Sequence, residues 1–305
     1  MFWKLRRKVS RYSFDKAVGD ILKTPPVRLV EAPLTIVSMI KKTDTIMYLL
    51  SMKAFYRRIG RGQLLAIVDR DMPREDLLLI EQHFPGIAFQ ILEDIDTGSC
   101  QRGGTWERIL FILDLARDRY VVQVDCDTLP VAADLREVVD CIETGTAFTL
   151  TDHNRQILPL RAAAEAARQV DSDFIGIVAE RQFDQYPDAD SLRYVRASSG
   201  LAGFAPGGFP RERMEEFHRV MEGMVGAARW REWGTEQCAS NFAVANSPKA
   251  MVLPHPAYTS FGPGVPRQGV KFYHFIGTYR FDDGFFAAKG REEIAAILQE
   301  ARMPA

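Results

Sequence analysis

The stretch from Tyr120 to Pro130, YVVQVDCDTLP, restricts the fold of this chain more than any other part of the sequence. Its valine-rich first half is typical of a strand buried in a parallel sheet, and two carboxylates in D-x-D spacing, Asp125 and Asp127, follow at once. Ligands of open α/β sheets bind at the carboxyl ends of the strands. The stretch therefore predicts an α/β fold with a binding site directly after this strand.

The D-x-D spacing suits a hard divalent cation. Residues just past a strand end can place both carboxylates on one ion, and that ion can in turn hold a diphosphate. Without a cation the two negative charges repel each other. A second interpretation stays open on this motif alone, in which Asp125 and Asp127 only solvate the end of the strand.

The composition is that of a globular protein. With 305 residues, 47% of them hydrophobic and 26% charged, the chain can form one large α/β domain or two smaller ones. Because the formal net charge is only −1, we expect no nucleic-acid partner. No apolar run approaches the ~20 residues of a membrane span, and the N-terminus lacks the apolar core of a signal peptide. These features predict a cytoplasmic protein.

The N-terminal segment, residues 1–33, begins with a basic stretch. Residues 1–16 contain six basic side chains and a single acid, with apolar and aromatic residues between them. Such a pattern can bind the anionic surface of the inner face of a membrane without entering the bilayer. The protein would then be a peripheral membrane protein. The alternative is a solvated, partly frayed terminus, and the sequence favours it. The basic residues are Lys4, Arg6, Arg7, Lys8, Arg11 and Lys16.

Strand and helix patterns alternate up to the D-x-D. Apolar runs typical of strands alternate with segments whose apolar residues recur at helical spacing, and the pair Gly103-Gly104 opens the last helix before the D-x-D strand. The βαβαβαβ order predicts a mostly parallel central sheet with helices on both faces. The predicted strands are 34–40, 64–68 and 87–92. The first two predicted helices are 45–59 and about 74–83, and the third opens at Gly103-Gly104 and carries apolar residues from Trp106 to Leu115.

Two other α/β folds are tested by their motifs. A dinucleotide-binding Rossmann domain needs G-x-G-x-x-G after its first strand, where this chain has the residues from Lys41 to Thr45, KKTDT. That alternative fails, although Lys41 could still reach a nucleotide from this strand end. A HAD-like phosphatase with an aspartyl nucleophile also carries D-x-D after an apolar strand, but near its N-terminus and with Thr or Val where this chain has Leu129. It stays open as an alternative.

Three further sequence segments carry recognisable motifs, one of them before the D-x-D and two after it. They are TWERI from Thr105 before it, and WGTEQCASN from Trp233 and YHFIGTYR from Tyr273 after it. Together the four segments resemble the GT-A fold nucleotide-sugar glycosyltransferases, most closely glycosyltransferase family 8, which includes glycogenin and lipooligosaccharide galactosyltransferases. The resemblance spans residues 105–280 and rests on motifs whose contexts agree.

The resemblance implies a metal site and a phosphate contact. Asp125, Asp127 and, from far downstream, His274 would bind the cation. Arg108, on the exposed face of its helix, would contact the phosphates or sugar of the donor through its rigid fork of N–H groups. Mixed carboxylate and imidazole ligands suit Mn²⁺, with Mg²⁺ as a substitute.

The resemblance also implies groups around the diphosphate and the sugar. Glu236 and Gln237 would lie near the transferred sugar as the catalytic candidates. Gly277 would let the backbone approach the diphosphate, and Arg280 would contact phosphate in place of the usual lysine. By its position rather than by the resemblance, Asp152 is the best single candidate for a contact to the donor or acceptor sugar, because it follows a predicted strand at 146–151 and opens the polar group DHNR. The alternative that this group is only a solvated loop stays open.

The function implied is that of a hexosyltransferase in the synthesis of a bacterial polysaccharide or glycoconjugate. It would use a UDP-sugar donor, retain the anomeric configuration and act on a carbohydrate, glycolipid or protein acceptor. Under the resemblance, 34–130 forms the nucleotide-binding half of a domain at 34–290, 131–290 forms the sugar and acceptor half, and 291–305 forms a C-terminal helix. A non-catalytic nucleotide-sugar-binding protein is the alternative from another functional class.

The sequence departs from the family motifs at several positions. These differences bear on the identity of the donor sugar more than on the metal site. Glu236 replaces an aspartate, Arg280 replaces a lysine, and the Ser198-Ser199-Gly200 segment stands where the family often has Asn-Ala-Gly. Arginine keeps the positive charge of the lysine.

Overall fold

The D-x-D strand forms where the sequence predicts it, inside a seven-stranded sheet. The computed structural model describes residues 2–153 and 155–303, with the side chains of residues 2–8 and of Thr278 left out of the description. The strands of this part of the chain are β1 (Leu34–Ile40), β2 (Gln63–Val68), β3 (Ala88–Ile91), β4 (Tyr120–Val124), β5 (Thr128–Pro130), β6 (Ala147–Leu150), β7 (Leu158–Pro159), β8 (Arg193–Tyr194), β9 (Ser198–Phe204), β10 (Ala250–Val252), β11 (Tyr258–Ser260) and β12 (Phe272–His274).

Helices surround the sheet, and most of them follow a strand directly. Those of the described residues are α1 (Phe2–Ala17), α2 (Thr45–Ile59), α3 (Arg74–His83), α4 (Trp106–Leu115), α5 (Arg136–Thr144), α6 (Leu160–Arg168), α7 (Ile175–Glu180), α8 (Arg211–Val225), α9 (Ala227–Trp230), α10 (Thr235–Ala245) and α11 (Phe285–Glu300).

The large sheet is mostly parallel, in the order β10-β6-β9-β4-β1-β2-β3. β1 pairs in parallel with β2 and with β4, and only β9 runs antiparallel to its neighbours β4 and β6. The chain moves from β1 outward through β2 and β3 and then returns to the other side of β1 with β4. A crevice for a ligand opens at such a reversal of strand order, outside the carboxyl ends of β1 and β4.

Side chains of the central strands alternate between two cores, one on each face of the sheet. Ile36 and Val122 face the core that α2, α5 and α11 cover, and Val37 and Val121 face the core that α4, α8 and α10 cover. Because both faces are buried, β1 and β4 are apolar at nearly every position, as in other parallel sheets. The predicted α/β fold with helices on both faces is confirmed.

The two ends of the chain pack against each other in the first of these cores. The ring of Phe14 in α1 lies 4.5 Å from that of Phe286 in α11, measured between centroids, and Phe286 stacks on Phe275 at 4.0 Å. Helix α11 begins at Phe285, earlier than the predicted 291, because Gly284 in the left-handed conformation (φ 71°) starts it there. Helices α1 and α11 therefore both contribute to this core.

Two predictions concern side chains that lie outside the description. They are the membrane contact through Lys4, Arg6, Arg7 and Lys8, and the part of the polar group after β6 that Asn154 would form. In residues 2–153 and 155–303, no helix is both long enough and apolar enough to cross a bilayer.

Replacing Phe286 by alanine tests whether α11 is part of the core. The ring is fully buried, so Phe286→Ala should lower the free energy of unfolding by about 3–5 kcal/mol. Urea unfolding followed by circular dichroism measures this. Gln299→Ala, at an exposed position of the same helix, is the control and should change stability by less than about 0.5 kcal/mol. Equally small effects of both substitutions would contradict the packing described.

Candidate active site

A second, three-stranded sheet brings His274 to the D-x-D. β5 begins at Thr128, one residue after Asp127, and pairs antiparallel with β12 so that Thr128 lies opposite His274. The backbone N–H of Phe275 donates to the Asp127 carbonyl at 2.7 Å, which extends the pairing to the D-x-D itself. Strand pairing between distant parts of the chain therefore fixes the imidazole beside the aspartates.

The three side chains form a cluster that could hold a metal ion. One ligand atom from each of Asp125, Asp127 and His274 lies within 4.8 Å of the other two. The Nε2 atom of His274 is 3.4 Å from Oδ1 of Asp127 and 3.8 Å from Oδ2 of Asp125. Its Nδ1 atom is 2.9 Å from the hydroxyl oxygen of Ser198, so the ring is held by one nitrogen while the other faces the carboxylates.

The groups around Asp127 keep its carboxylate ionised. Burial alone would raise the pKa of Asp127, but the neighbouring His274 and Arg280 outweigh it and bring that pKa down to about 2. Burial would lower the pKa of His274, and the attraction of Asp127 reverses this, so that the pKa is raised. Asp127 therefore stays ionised, and a divalent cation would take the place of the proton on His274, because the imidazole binds a metal ion in its neutral form.

Gly200 leaves the space that the imidazole fills. A Cβ atom at position 200 would lie 2.2 Å from Nδ1 of His274, closer than any real contact. The carbonyl of Gly200 also accepts a hydrogen bond of 2.9 Å from the backbone N–H of Asp125. The sequence showed this glycine only as the last residue of a segment that departs from the family motif, and its role becomes visible only with His274 in place.

Arg108 is buried between two carboxylates, not on an exposed helix face as the sequence predicted. Its Nη1 donates to Oδ1 of Asp125 at 2.6 Å and its Nη2 to Oε2 of Glu236 at 3.2 Å. The hydroxyl of Thr105 donates to the same Glu236 oxygen at 3.0 Å. Arg108 is 5% exposed and Glu236 3%, because the two charges compensate each other in the interior. In this arrangement Glu236 orients Arg108, and Arg108 orients Asp125.

All ten predicted site residues line one cleft of about 1370 Å³. This exceeds the ~300–1,000 Å³ of ordinary small-molecule pockets, so there is room for a large ligand or for two ligands side by side. The residues are Lys41, Arg108, Asp125, Asp127, Asp152, Glu236, Gln237, His274, Gly277 and Arg280.

The side chains that line the cleft include more carboxylates than lysines and arginines. Seven carboxylates and five Lys or Arg side chains line it. A diphosphate would therefore meet net repulsion in the bare cleft, and a divalent cation on the cluster of Asp125, Asp127 and His274 would reverse this. The donor set and the surrounding charge both fit Mn²⁺ or Mg²⁺.

The remaining predicted residues line the same cleft. Arg280 pairs with the Asp127 carboxylate, and its Nε donates to the Phe275 carbonyl at 2.9 Å. Gly277 has a φ of 48°, a left-handed conformation that glycine adopts most readily, and it opens a short 3₁₀ turn before Arg280. Lys41 and Asp152 are exposed at the cleft, after β1 and β6 respectively.

Helix α1 adds a contact that was missed in the sequence. Arg11 donates from Nη1 to Oδ1 of Asp44 at 2.8 Å and from Nε to Asp15 at 3.0 Å, and it also reaches the Thr43 carbonyl. Arg11 and Asp44 both line the cleft, at the end of β1. The basic character of α1 was visible in the sequence, but its partner lies 33 residues further on and no local pattern points to it.

Gly200→Ala tests the close approach of His274 to β9. The new methyl group should displace the imidazole and weaken Mn²⁺ binding by about 10–100-fold, which titration calorimetry measures. Gly223→Ala is the matched control, because Gly223 lies in α8 with no atom within 4 Å of the added carbon. Equal Mn²⁺ affinities of the Gly200→Ala variant and the wild type would contradict the arrangement.

The fold is of the type found in GT-A glycosyltransferases, as comparison with solved structures shows. The apo structure of the bifunctional glycosyltransferase WbbM is similar over 87% of this chain, with a TM-score of 0.50 and 16% sequence identity. This chain spans about half of that protein, 51% of its length. At this identity the similarity establishes the fold and leaves the reaction to be argued from the site.

Two further structures have lower TM-scores. The glycosyltransferase GlyE of Streptococcus pneumoniae TIGR4 has a TM-score of 0.48 at 10% identity, with 87% of this chain and 62% of that chain covered. The galactosyltransferase LgtC, in complex with donor and acceptor sugar analogs, has a TM-score of 0.45 at 11% identity, with 86% and 95% covered. No protein-family model matches the sequence, and no curated protein was found to be similar to it.

Proposed function

We propose that this protein is a metal-dependent glycosyltransferase that moves a sugar from a nucleotide diphosphate sugar, most simply a UDP-sugar, to an acceptor with retention of configuration. One observation carries the proposal. A large cleft opens at the crevice where the strand order reverses. In it lie side by side the carboxylates of Asp125 and Asp127 and the imidazole of His274, with ligand atoms within 4.8 Å of one another. The GT-A type of fold agrees with it.

The cluster would bind the donor through its diphosphate. A divalent cation held by Asp125, Asp127 and His274 would stabilise, as a Lewis acid, the negative charge that develops on the departing nucleotide. Arg280 stands beside Asp127, and a guanidinium has five N–H donors, so it can reach a phosphate oxygen while Nε stays on the Phe275 carbonyl. Gly277 keeps the backbone next to this position free of a side chain.

The residues next to the transferred sugar favour a front-face substitution. Glu236 is buried and bound by Arg108 and Thr105, so it acts as a positioning residue and is not free to attack the sugar. Gln237, the next residue, lines the cleft and would face the sugar. With no carboxylate assigned as a covalent nucleophile, the acceptor would attack from the side on which the diphosphate leaves, and a diphosphate oxygen would take its proton.

Hydrolysis of nucleotide sugars tests turnover without knowledge of the acceptor. We expect the protein to release nucleotide from at least one UDP-sugar with Mn²⁺ and not with EDTA. Asp127→Asn should reduce this rate by about 100-fold or more, since a ligand of the cation is lost. Asp118→Asn, an exposed carboxylate outside the cleft, is the control and should leave the rate unchanged.

Other outcomes of this assay would separate the competing functions. An Asp127→Asn variant that hydrolyses the UDP-sugar at the wild-type rate would refute the assignment of Asp127 as a ligand of the cation. Binding of a UDP-sugar without any turnover would favour a non-catalytic binding protein. Release of phosphate from an aryl phosphate with Mg²⁺ would favour the HAD-like phosphatase.

Arg280→Gln tests the phosphate contact. We expect the affinity for UDP to fall about tenfold, or by about 1.4 kcal/mol, while the affinity for uridine stays the same, because only UDP offers phosphate oxygens. Calorimetry in the presence of Mn²⁺ measures both. Arg267→Gln, which removes an exposed arginine that pairs with Asp283 and does not line the cleft, is the control. Equal losses for UDP and uridine would refute the contact.

A further inference from the structure

Trp233 is an exposed tryptophan at the wall of the cleft. Its side chain is 73% exposed, the largest exposed fraction among the large hydrophobic residues of the described chain. Tryptophan is highly buried on average in folded proteins, and exposed large apolar surface in a cleft marks a place where something binds. Trp233 lies three residues before Glu236 in the turn that starts α10.

A second aromatic ring packs against Trp233. The centroid of Phe174 lies 6.2 Å from that of Trp233 with the ring planes inclined by 52°, and Phe174 is itself 41% exposed. Two glycines make room for its ring: a Cβ atom would lie 2.5 Å from it at Gly234 and 2.7 Å from it at Gly176. We name Trp233 and Phe174 the aromatic shelf.

The loop that carries Phe174 is fixed by hydrogen bonds from both sides. Arg229 donates to the Asp173 carbonyl at 2.8 Å, and Arg181 donates to the Ser172 carbonyl at 3.1 Å. The backbone N–H of Phe174 donates to the Ser172 hydroxyl at 3.2 Å. The aromatic shelf is therefore preorganised, which lowers the entropic cost of binding a ligand there.

Trp233 lines the same cleft as the proposed catalytic residues, and Phe174 packs against Trp233. Contacts lead from Asp125 through Arg108 to Glu236, and Gln237 and Trp233 line the same cleft. The nucleotide would occupy the part of the cleft next to Lys41 and Arg280. The aromatic surface is therefore left for the second substrate of the transfer.

We propose that the aromatic shelf is the acceptor subsite and that it stacks against a pyranose ring, so that the acceptor is a carbohydrate. The proposal rests on the proposed function. A pyranose has a face of C–H groups that can cover an indole ring, while its hydroxyl groups need polar partners at the rim. The carboxylate of Asp152, exposed in the same cleft, can accept hydrogen bonds from such hydroxyls.

The chemistry at this subsite is a single exchange of bonds. The oxygen of one acceptor hydroxyl forms a bond to the anomeric carbon as the bond from that carbon to the diphosphate oxygen breaks. The hydroxyl proton passes to the departing diphosphate. Stacking on Trp233 would hold the acceptor ring so that one hydroxyl faces the anomeric carbon.

Two measurements on the full chain test the proposal. Saturation-transfer NMR with reducing disaccharides and methyl pyranosides, in the presence of UDP and Mn²⁺, reports binding without turnover. Transfer from the UDP-sugar that the wild type hydrolyses, to the saccharide that binds best, reports the acceptor KM and the ratio of transfer to hydrolysis. The variants are Trp233→Ala and Trp233→Phe, with Tyr279→Ala as the control because Tyr279 is exposed but does not line the cleft.

We expect Trp233→Ala to raise the acceptor KM at least tenfold and to lower the ratio of transfer to hydrolysis, with kcat changed less. Trp233→Phe should retain most of the binding, and Tyr279→Ala should match the wild type. Equal saccharide binding by the wild type and Trp233→Ala, or no saccharide binding by the wild type, would overturn the proposal. A wild type that hydrolyses no nucleotide sugar would count against the proposed function, and the NMR comparison would then still decide on the aromatic shelf.

Discussion

The antiparallel pairing of β5 with β12 is the contact on which the site depends. β4 delivers two aspartates to the crevice of the sheet, but a cation needs further ligands, and the large sheet does not supply them. Because β5 starts directly after Asp127 and has β12 as its partner, His274 comes to lie beside both carboxylates. The three-stranded sheet thus brings the third proposed ligand from a distant part of the chain.

Buried charge pairs hold this arrangement in place. Arg108 lies between Asp125 and Glu236 and pairs with both, and Arg280 pairs with Asp127. Loss of one partner of a buried pair leaves an uncompensated charge that costs several kcal/mol. The geometry of the carboxylates is therefore set before any ligand arrives, and Glu236 contributes through Arg108 while Gln237 faces the cleft.

Local patterns in the sequence predicted a large part of the fold. The bounds of β1, α2 and α3 coincide with the predicted ranges, because apolar periodicity and turn residues depend on neighbours in sequence. The burial of Arg108 and its pairing with Glu236 could not be predicted, since they depend on how α4 and α10 pack. The same holds for Arg11 with Asp44 and for Gly200, whose role exists only because the His274 ring fills the space beside it.

We propose that Asp125, Asp127 and His274 hold one divalent cation, which would in turn bind the diphosphate of the donor. Pulsed electron paramagnetic resonance of Mn²⁺ bound to the protein measures this directly. We expect hyperfine coupling to one ¹⁴N nucleus from His274, and coupling to ³¹P that appears when UDP is added. Mn²⁺ bound without nitrogen coupling, or UDP bound without phosphorus coupling, would contradict it.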